Sequence, residues 1–220
     1  MPATPEFLAM LRKETAKRGI VLIFDEVMTS RLHPNGLSAQ YGIQPDLKTL
    51  GKYIGGGMSF GAFGGKRAIM EQFDPSRPKA LPHAGTFNNN TLTMTAGQVG
   101  LTEIYTPEAC VALNERGGKL RQAINDLCMR YQAGLQATGI GSMLTLHPIA
   151  GPIVKPEDTE KGDNRLKRLL YLDLLDQGIY IAERGFMALS LMVTTPDTQR
   201  LLEALESFIK RYRHLVVASV

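Results

Sequence analysis

The apolar and polar positions of the chain fall into short apolar runs alternating with longer amphipathic stretches. Thr4 followed by Pro5 reads as an N-cap with proline at the first helical position; Phe7, Leu8 and Leu11 give an apolar face, and Gly19 closes the helix. Next come Val21 to Phe24, an apolar run without alternation that ends on Asp25 and Glu26. Such a run predicts a strand buried on both faces, as in a parallel α/β sheet. A helix feeding such a strand is the second part of a βαβ crossover, whose opening strand is expected upstream. Beyond it the pattern predicts a turn-rich loop at 31–36, a short helix at 37–41, strands at 47–50 and 61–65, and a helix at 66–73 stopped by Asp74 and Pro75. A long loop, 76–90, precedes a helix at 91–105 rich in small residues. Thr106 and Pro107 restart a helix that runs to about residue 136, with a weak point at Gly117 and Gly118. After it, 140–146 alternates as a strand, 151–162 is a loop, and 164–177 is an amphipathic helix closed by Gly178. Strands at 179–182 and 187–191 and a last helix from Pro196 to about His214 complete the series. The expected class is α/β in two parts, 1–105 and 106–220, the second a linker helix followed by a small α/β domain.

Composition narrows the class of partner. With 220 residues and 44% hydrophobic content the chain can bury a core. Its net charge of +4 is spread among acidic residues, with no aromatic-interleaved basic stripe of the kind nucleic-acid binding requires. Two cysteines, Cys110 and Cys128, lack C-x-x-C spacing, and the four histidines are dispersed, so neither a disulfide framework nor a metal site is expected. The opening residues show neither a cationic leader nor a long apolar core, and no run reaches membrane-spanning length. The expectation is a cytoplasmic protein without membrane or nucleic-acid contacts. The ten methionines are spread along predicted elements and read as core filling.

The candidate chemistry lies between residues 21 and 57. Parallel sheets bind ligands beyond the carboxyl ends of their strands, which is where Asp25 falls. Lys52 follows Gly51 and precedes Gly55, Gly56 and Gly57, so little side-chain bulk surrounds its amine. A lysine that acts as a nucleophile needs a site that lowers its proton affinity, and a carboxylate in a crevice needs a cationic partner. Pyridoxal phosphate (PLP) takes both, a lysine as Schiff base and a carboxylate against its protonated ring nitrogen. Other readings compete. A P-loop ATPase strand also ends in Asp and Glu, but none of Lys52, Lys66 and Lys119 completes G-x-x-x-x-G-K-[ST]. Asp25 and Glu26 also read as a strand-end and helix-capping pair, and Lys52 as a solvated loop lysine. The glycines between 55 and 65 read as permitting close backbone packing rather than as a phosphate cradle. Asn88, Asn89 and Asn90 at a helix entrance offer amide donors to an anion. Arg184, beside Gly185 in a turn, reads either as a fork for a substrate carboxylate or as a surface arginine.

The segment from Leu22 to Gly65, LIFDEVMTS through PDLKTLGKYIGGGMSFGAFGG, resembles the class III (subgroup II) PLP-dependent aminotransferases, in particular their glutamate-1-semialdehyde 2,1-aminomutase-like branch. The run His83-Ala84-Gly85-Thr86-Phe87 matches the family's H-x-G-T-F motif, and residues 178–190, GIYIAERGFMALS, resemble its C-terminal stretch. The resemblance implies PLP-dependent transferase fold type I (aspartate aminotransferase-like), with residues 1–105 the C-terminal part of the PLP-binding large domain and 106–220 the linker helix and small domain. It implies that Asp25 holds the pyridine nitrogen, Val27 packs on the ring, Lys52 forms the Schiff base, and Thr86 binds the cofactor phosphate of the other subunit of a homodimer.

At Ser30, Arg31 and Leu32 the chain departs from the aminomutase pattern Gly-Phe-Arg toward a variant associated with aminotransferases that include some acting on β-amino acids. Family members are about twice as long, and their preceding half supplies the phosphate cup, an aromatic stacked on the ring and much of the substrate-carboxylate binding. The implied activity is amino-group transfer between an amino donor and a keto acid, or the aminomutase isomerase reaction, or racemisation, which all use these residues. The alternative is a truncated, catalytically silent fragment that binds PLP weakly or not at all.

Overall fold

The structure, a computed structural model, describes residues 3–216. By its internal contacts the chain divides into two compact units, one of Ala3–Val111 and one from Ala112 onward.

The first unit opens with helix α1, Pro5–Lys17, whose N-terminus is capped by the Thr4 hydroxyl accepting from Phe7 N–H at 3.3 Å. Gly19, at φ +65°, turns the chain out of it. Strand β1, Ile23–Asp25, pairs in parallel with β2, Leu47–Gly51, and β2 pairs antiparallel with β3, Gly61–Gly65. Short helix α2, Leu37–Gln40, lies on the crossover between β1 and β2. After β3 come α3, Arg67–Met70, and a 3-10 turn, Glu71–Phe73; helix α4, Thr91–Val99, continues as one wide turn, Gly100–Ile104. Asp46 fastens the sheet's entry. Its carboxylate accepts from Leu22 N–H at 2.7 Å and from Arg12 of α1 at 3.0 Å, and it pairs with Lys66 just past β3.

The expectation that β1 is buried on both faces is corrected here. Val21 is 51% and Ile23 53% exposed. β1 stands at the edge of the three-stranded sheet β1-β2-β3, and among the described residues only Leu32, Ile54 and Cys110 of this unit's hydrophobic side chains are fully buried. The run is apolar enough for a buried strand, but only Leu22 and Phe24, on one face, are half-buried, and the Val21 and Ile23 side chains are exposed.

Helix α5, Pro107–Arg130, runs unbroken through Gly117 and Gly118, contrary to the weak point expected there. Gly117 serves a close approach instead, since a Cβ at this position would overlap the Gly141 carbonyl. The predicted strand at 140–146 is a hairpin of β4, Gln136–Ile140, and β5, Met143–His147, joined through Gly141 at φ +51° and Ser142. β5 also pairs with β6, Phe186–Ala188, whereas 179–182 is irregular. The 151–162 loop contains a 3-10 turn, Pro156–Lys161. Helices α6, Asn164–Asp176, α7, Thr195–Arg211, and the short α8, Arg213–Val216, follow. Residues 201, 204, 205, 208 and 209 of α7 are all buried, the i, i+3, i+4 spacing of a helix laid on a core. Leu113, Ile124, Leu144 and Leu174 complete the centre of this better-packed unit.

Candidate active site

Asp25 ends β1 and is register-paired with Thr49 on β2. Because side chains alternate along a strand, Asp25 and Val27 share one face with Thr49 and Gly51, and Glu26 and Lys48 lie on the other. The contacts confirm this division. Thr49 Oγ1 donates to Asp25 Oδ1 at 3.1 Å, and Val27 N–H donates to the same oxygen at 3.0 Å. A Cβ built on Gly51 would stand 3.3 Å from the Val27 side chain and 3.4 Å from the Phe60 carbonyl, so glycine there permits the close approach of Val27 to β2. On the opposite face, buried Glu26 accepts from Leu37 N–H at 2.6 Å and Ser38 N–H at 3.0 Å and faces Lys48 Nζ at 3.6 Å. Glu26 thus takes the helix-capping role that the sequence left open for either carboxylate, holding the start of α2, while Asp25 remains exposed at the strand end. Gly36 belongs to this arrangement, since a Cβ there would overlap Glu26 Oε2.

Lys52 follows β2 directly and is exposed. Its φ is +56°, the left-handed region that a side chain with a Cβ rarely occupies. No hydrogen bond or ion pair holds its amine among the described residues, and none reaches Asp25 Oδ2. Tyr53, next in sequence, packs edge-on to Tyr105 with ring centroids 5.2 Å apart. Tyr105 Oη donates to the Arg31 carbonyl at 2.6 Å, which Cys110 Sγ also approaches at 3.3 Å. Burial pushes the Tyr105 phenol up to about 12, with the neighbouring Cys110 adding to the shift. These contacts pin the 3-10 turn Thr29–Leu32 against the segment that follows Lys52.

Thr86 stands in an exposed turn, and no hydrogen bond joins it to Asp25, Val27 or Lys52. The motif's first residue, His83, packs edge-on against Phe63 of β3 at 5.3 Å and Phe73 at 6.1 Å, which ties the base of the loop to the sheet. A cleft of about 670 Å³ opens between this loop and β2–β3, bordered by Thr49, Phe60, Phe63, His83 and Asn88. Of the three asparagines, Asn90 caps α4, its Oδ1 accepting from Leu92 and Thr93 N–H at 3.0 and 3.3 Å, so these two backbone amides are already occupied. Arg184 lies in the second unit with its guanidinium carbon 5.3 Å from the centre of the Phe186 ring. No group of metal-ligating side chains occurs among the described residues, and no described helix is long and apolar enough to cross a membrane.

The family model for Aminotransferase class-III matches residues 1–209. The chain belongs to the class-III aminotransferases. The β-phenylalanine transaminase of Variovorax paradoxus is 51% identical over 209 residues, covering 95% of this chain and 48% of that protein. Glutamate-1-semialdehyde 2,1-aminomutase 2 of Brevibacillus brevis is 37% identical over 214 residues, 96% of this chain and 49% of its own length. The crystal structure of the β-phenylalanine aminotransferase from Variovorax paradoxus superposes with a TM-score of 0.96 at 49% identity, over 100% of this chain and 51% of that one. This class-III aminotransferase chain therefore has fold type I architecture, and it spans about half the length of the curated relatives it matches.

One residue of the candidate site is not visible in the sequence. Thr49 belongs beside Asp25, and its signal lay in the strand register, which spacing along the chain does not reveal.

Proposed function

We propose that this chain serves PLP-dependent amino-group transfer, with Lys52 as the nucleophile that holds the cofactor and Asp25 as the partner of its ring nitrogen. The observation that carries the reading is the common end of two parallel strands, where Asp25, Val27 and Gly51 share a face and Lys52 follows. The residues fit the group. One oxygen of Asp25 is free to accept from a protonated ring nitrogen, half-buried Val27 on the same face offers an apolar contact to the ring, and the Lys52 amine has no competing partner among the described residues. When bound, PLP supplies an electron sink for the charge left on the substrate carbon after its proton departs. Lys52 Nζ is the base that moves that proton, and Asp25 orients the ring.

The proposed substrates are a β-amino acid donor and a keto acid acceptor. Support comes from Ser30, Arg31 and Leu32 and from the relative named as a β-phenylalanine transaminase, which shares more identity with this chain than the aminomutase of Brevibacillus brevis does. We assign residues 1–105 to the cofactor-binding large domain and 106–220 to the linker helix and small domain. In this reading the protein is a cytoplasmic homodimer in which Thr86 reaches the partner's cofactor phosphate. Exposed Phe87 and Leu92, 84% and 69% accessible beside Thr86, support a covering partner.

A second reading rests on the exposed β1 run and the thin core of the first unit, namely that the chain alone binds PLP weakly and transfers nothing. One experiment separates the two. Purified chain mixed with PLP is titrated by visible absorbance, reduced with borohydride, and digested for mass spectrometry, with Lys52→Ala as control. A reducible adduct on Lys52, absent from the variant, supports the enzyme. An adduct spread over surface lysines, or none, supports the silent chain.

A further inference from the structure

Thr49 and Asp25 face each other across the only parallel strand pair among the described residues. The backbones are locked at this level, since Glu26 N–H donates to the Thr49 carbonyl at 3.0 Å. The Thr49 hydroxyl and the Val27 amide both donate to one oxygen of Asp25, at 3.1 and 3.0 Å. A free aspartate rotates about two bonds and presents either oxygen in any direction. Here one oxygen is taken by two donors in nearly fixed positions, and among the described residues nothing donates to the other.

We propose that Thr49 is the positioning residue of this site, fixing the Asp25 carboxylate so that its second oxygen alone is presented to the ring nitrogen of the cofactor. The inference rests on the PLP reading above and adds to it a residue that acts through its contact with Asp25. Two features make threonine suited to the role. Its β-branched side chain is restricted at χ1 in a strand, so the hydroxyl is held where the register puts it. Being neutral, it aligns the carboxylate without competing for it as an ammonium or guanidinium ion would.

The test uses the full chain with PLP as the probe. Thr49→Val keeps the branched shape and removes the hydroxyl, whereas Thr49→Ser keeps the hydroxyl. A hydrogen bond to a charged group sets the scale, so Thr49→Val is expected to weaken PLP uptake about tenfold or more, with Thr49→Ser within a few-fold of wild type. In the Asp25→Asn background Thr49→Val should add little further loss, because the carboxylate it positions is gone. The urea midpoint of Thr49→Val should match wild type, which separates positioning from damage to the strand. Wild-type affinity in Thr49→Val, with Asp25→Asn still impaired, would overturn the role of Thr49 and leave the PLP reading standing. Equal losses in Thr49→Val and Thr49→Ser would likewise overturn it. A wild-type chain with no specific PLP uptake would overturn both.

Discussion

The backbone at Lys52 yields a prediction independent of any cofactor. A residue with a Cβ held at φ +56° costs about 1–2 kcal/mol relative to its ordinary conformations. Glycine removes that cost but loses about 0.5–1 kcal/mol more than alanine in conformational entropy on folding. The Lys52 amine makes no ion pair or hydrogen bond among the described residues, so truncation forfeits little. Lys52→Ala should therefore leave stability near wild type, and Lys52→Gly should exceed Lys52→Ala by about 0.5–1 kcal/mol. For a unit of roughly a hundred residues this amounts to a few degrees in Tm. The internal control is Lys13, exposed within α1, where glycine should be the less stable of the pair by about 1 kcal/mol. Urea titrations followed by circular dichroism and by tyrosine fluorescence, in a chain with no tryptophan, would measure all four variants. A reversed sign of the glycine-minus-alanine difference between positions 52 and 13 is the expected result. The same sign at both, with unchanged m-values, refutes the strain and the site argument that draws on it.

Two further predictions concern the sheet that carries the site. Glu26→Ala leaves the Leu37 and Ser38 amides and the Lys48 ammonium without their buried acceptor, and should cost about 3–5 kcal/mol in the urea unfolding free energy of the first unit. Glu26→Gln, which keeps one acceptor oxygen, should lose less. Asp46 is held well below the usual carboxylate range, first by the Leu22 amide and then by Lys66 and Arg12. A depressed folded-state value means that its contribution is fully present above the unfolded-state value, near pH 4, and is lost as pH falls below that. The urea midpoint of wild type should therefore fall more steeply between pH 4 and 2.5 than that of Asp46→Asn, which starts lower and loses less.

The elements that could be read from sequence were those whose cause is local. Thr4, Pro5 and Gly19 bound α1 through a cap, a fixed φ and a left-handed exit, each a property of one residue. Of the hairpin at 136–147, only 140–146 shows in the sequence, as one strand, because the two-residue turn Gly141-Ser142 interrupts the apolar alternation too briefly to show. Burial was misread for a different reason. Val21 and Ile23 are apolar, but periodicity reports what a strand can bury and not what lies against it. In the site, adjacent carboxylates had to fall on opposite faces by the alternation of a strand, yet which one is consumed structurally depended on the amides of α2, eleven and twelve residues away. Thr49 was hidden for the same reason, because parallel register sets its partner.

Lys52 is where local preference and observed conformation disagree, and that disagreement alone does not mark a site. Among the described residues Lys79, Asn89 and Gln132 also have positive φ, and each lies in a loop or turn. What separates Lys52 is its place, one residue beyond a strand whose parallel neighbour ends on Asp25. Were the left-handed turn only a means of leaving the strand, glycine would serve better, and Gly51 and Gly55 show that glycine is used freely on either side. On the proposed PLP reading, a lysine at a position that favours glycine has a reason to stand there, because its amine is required.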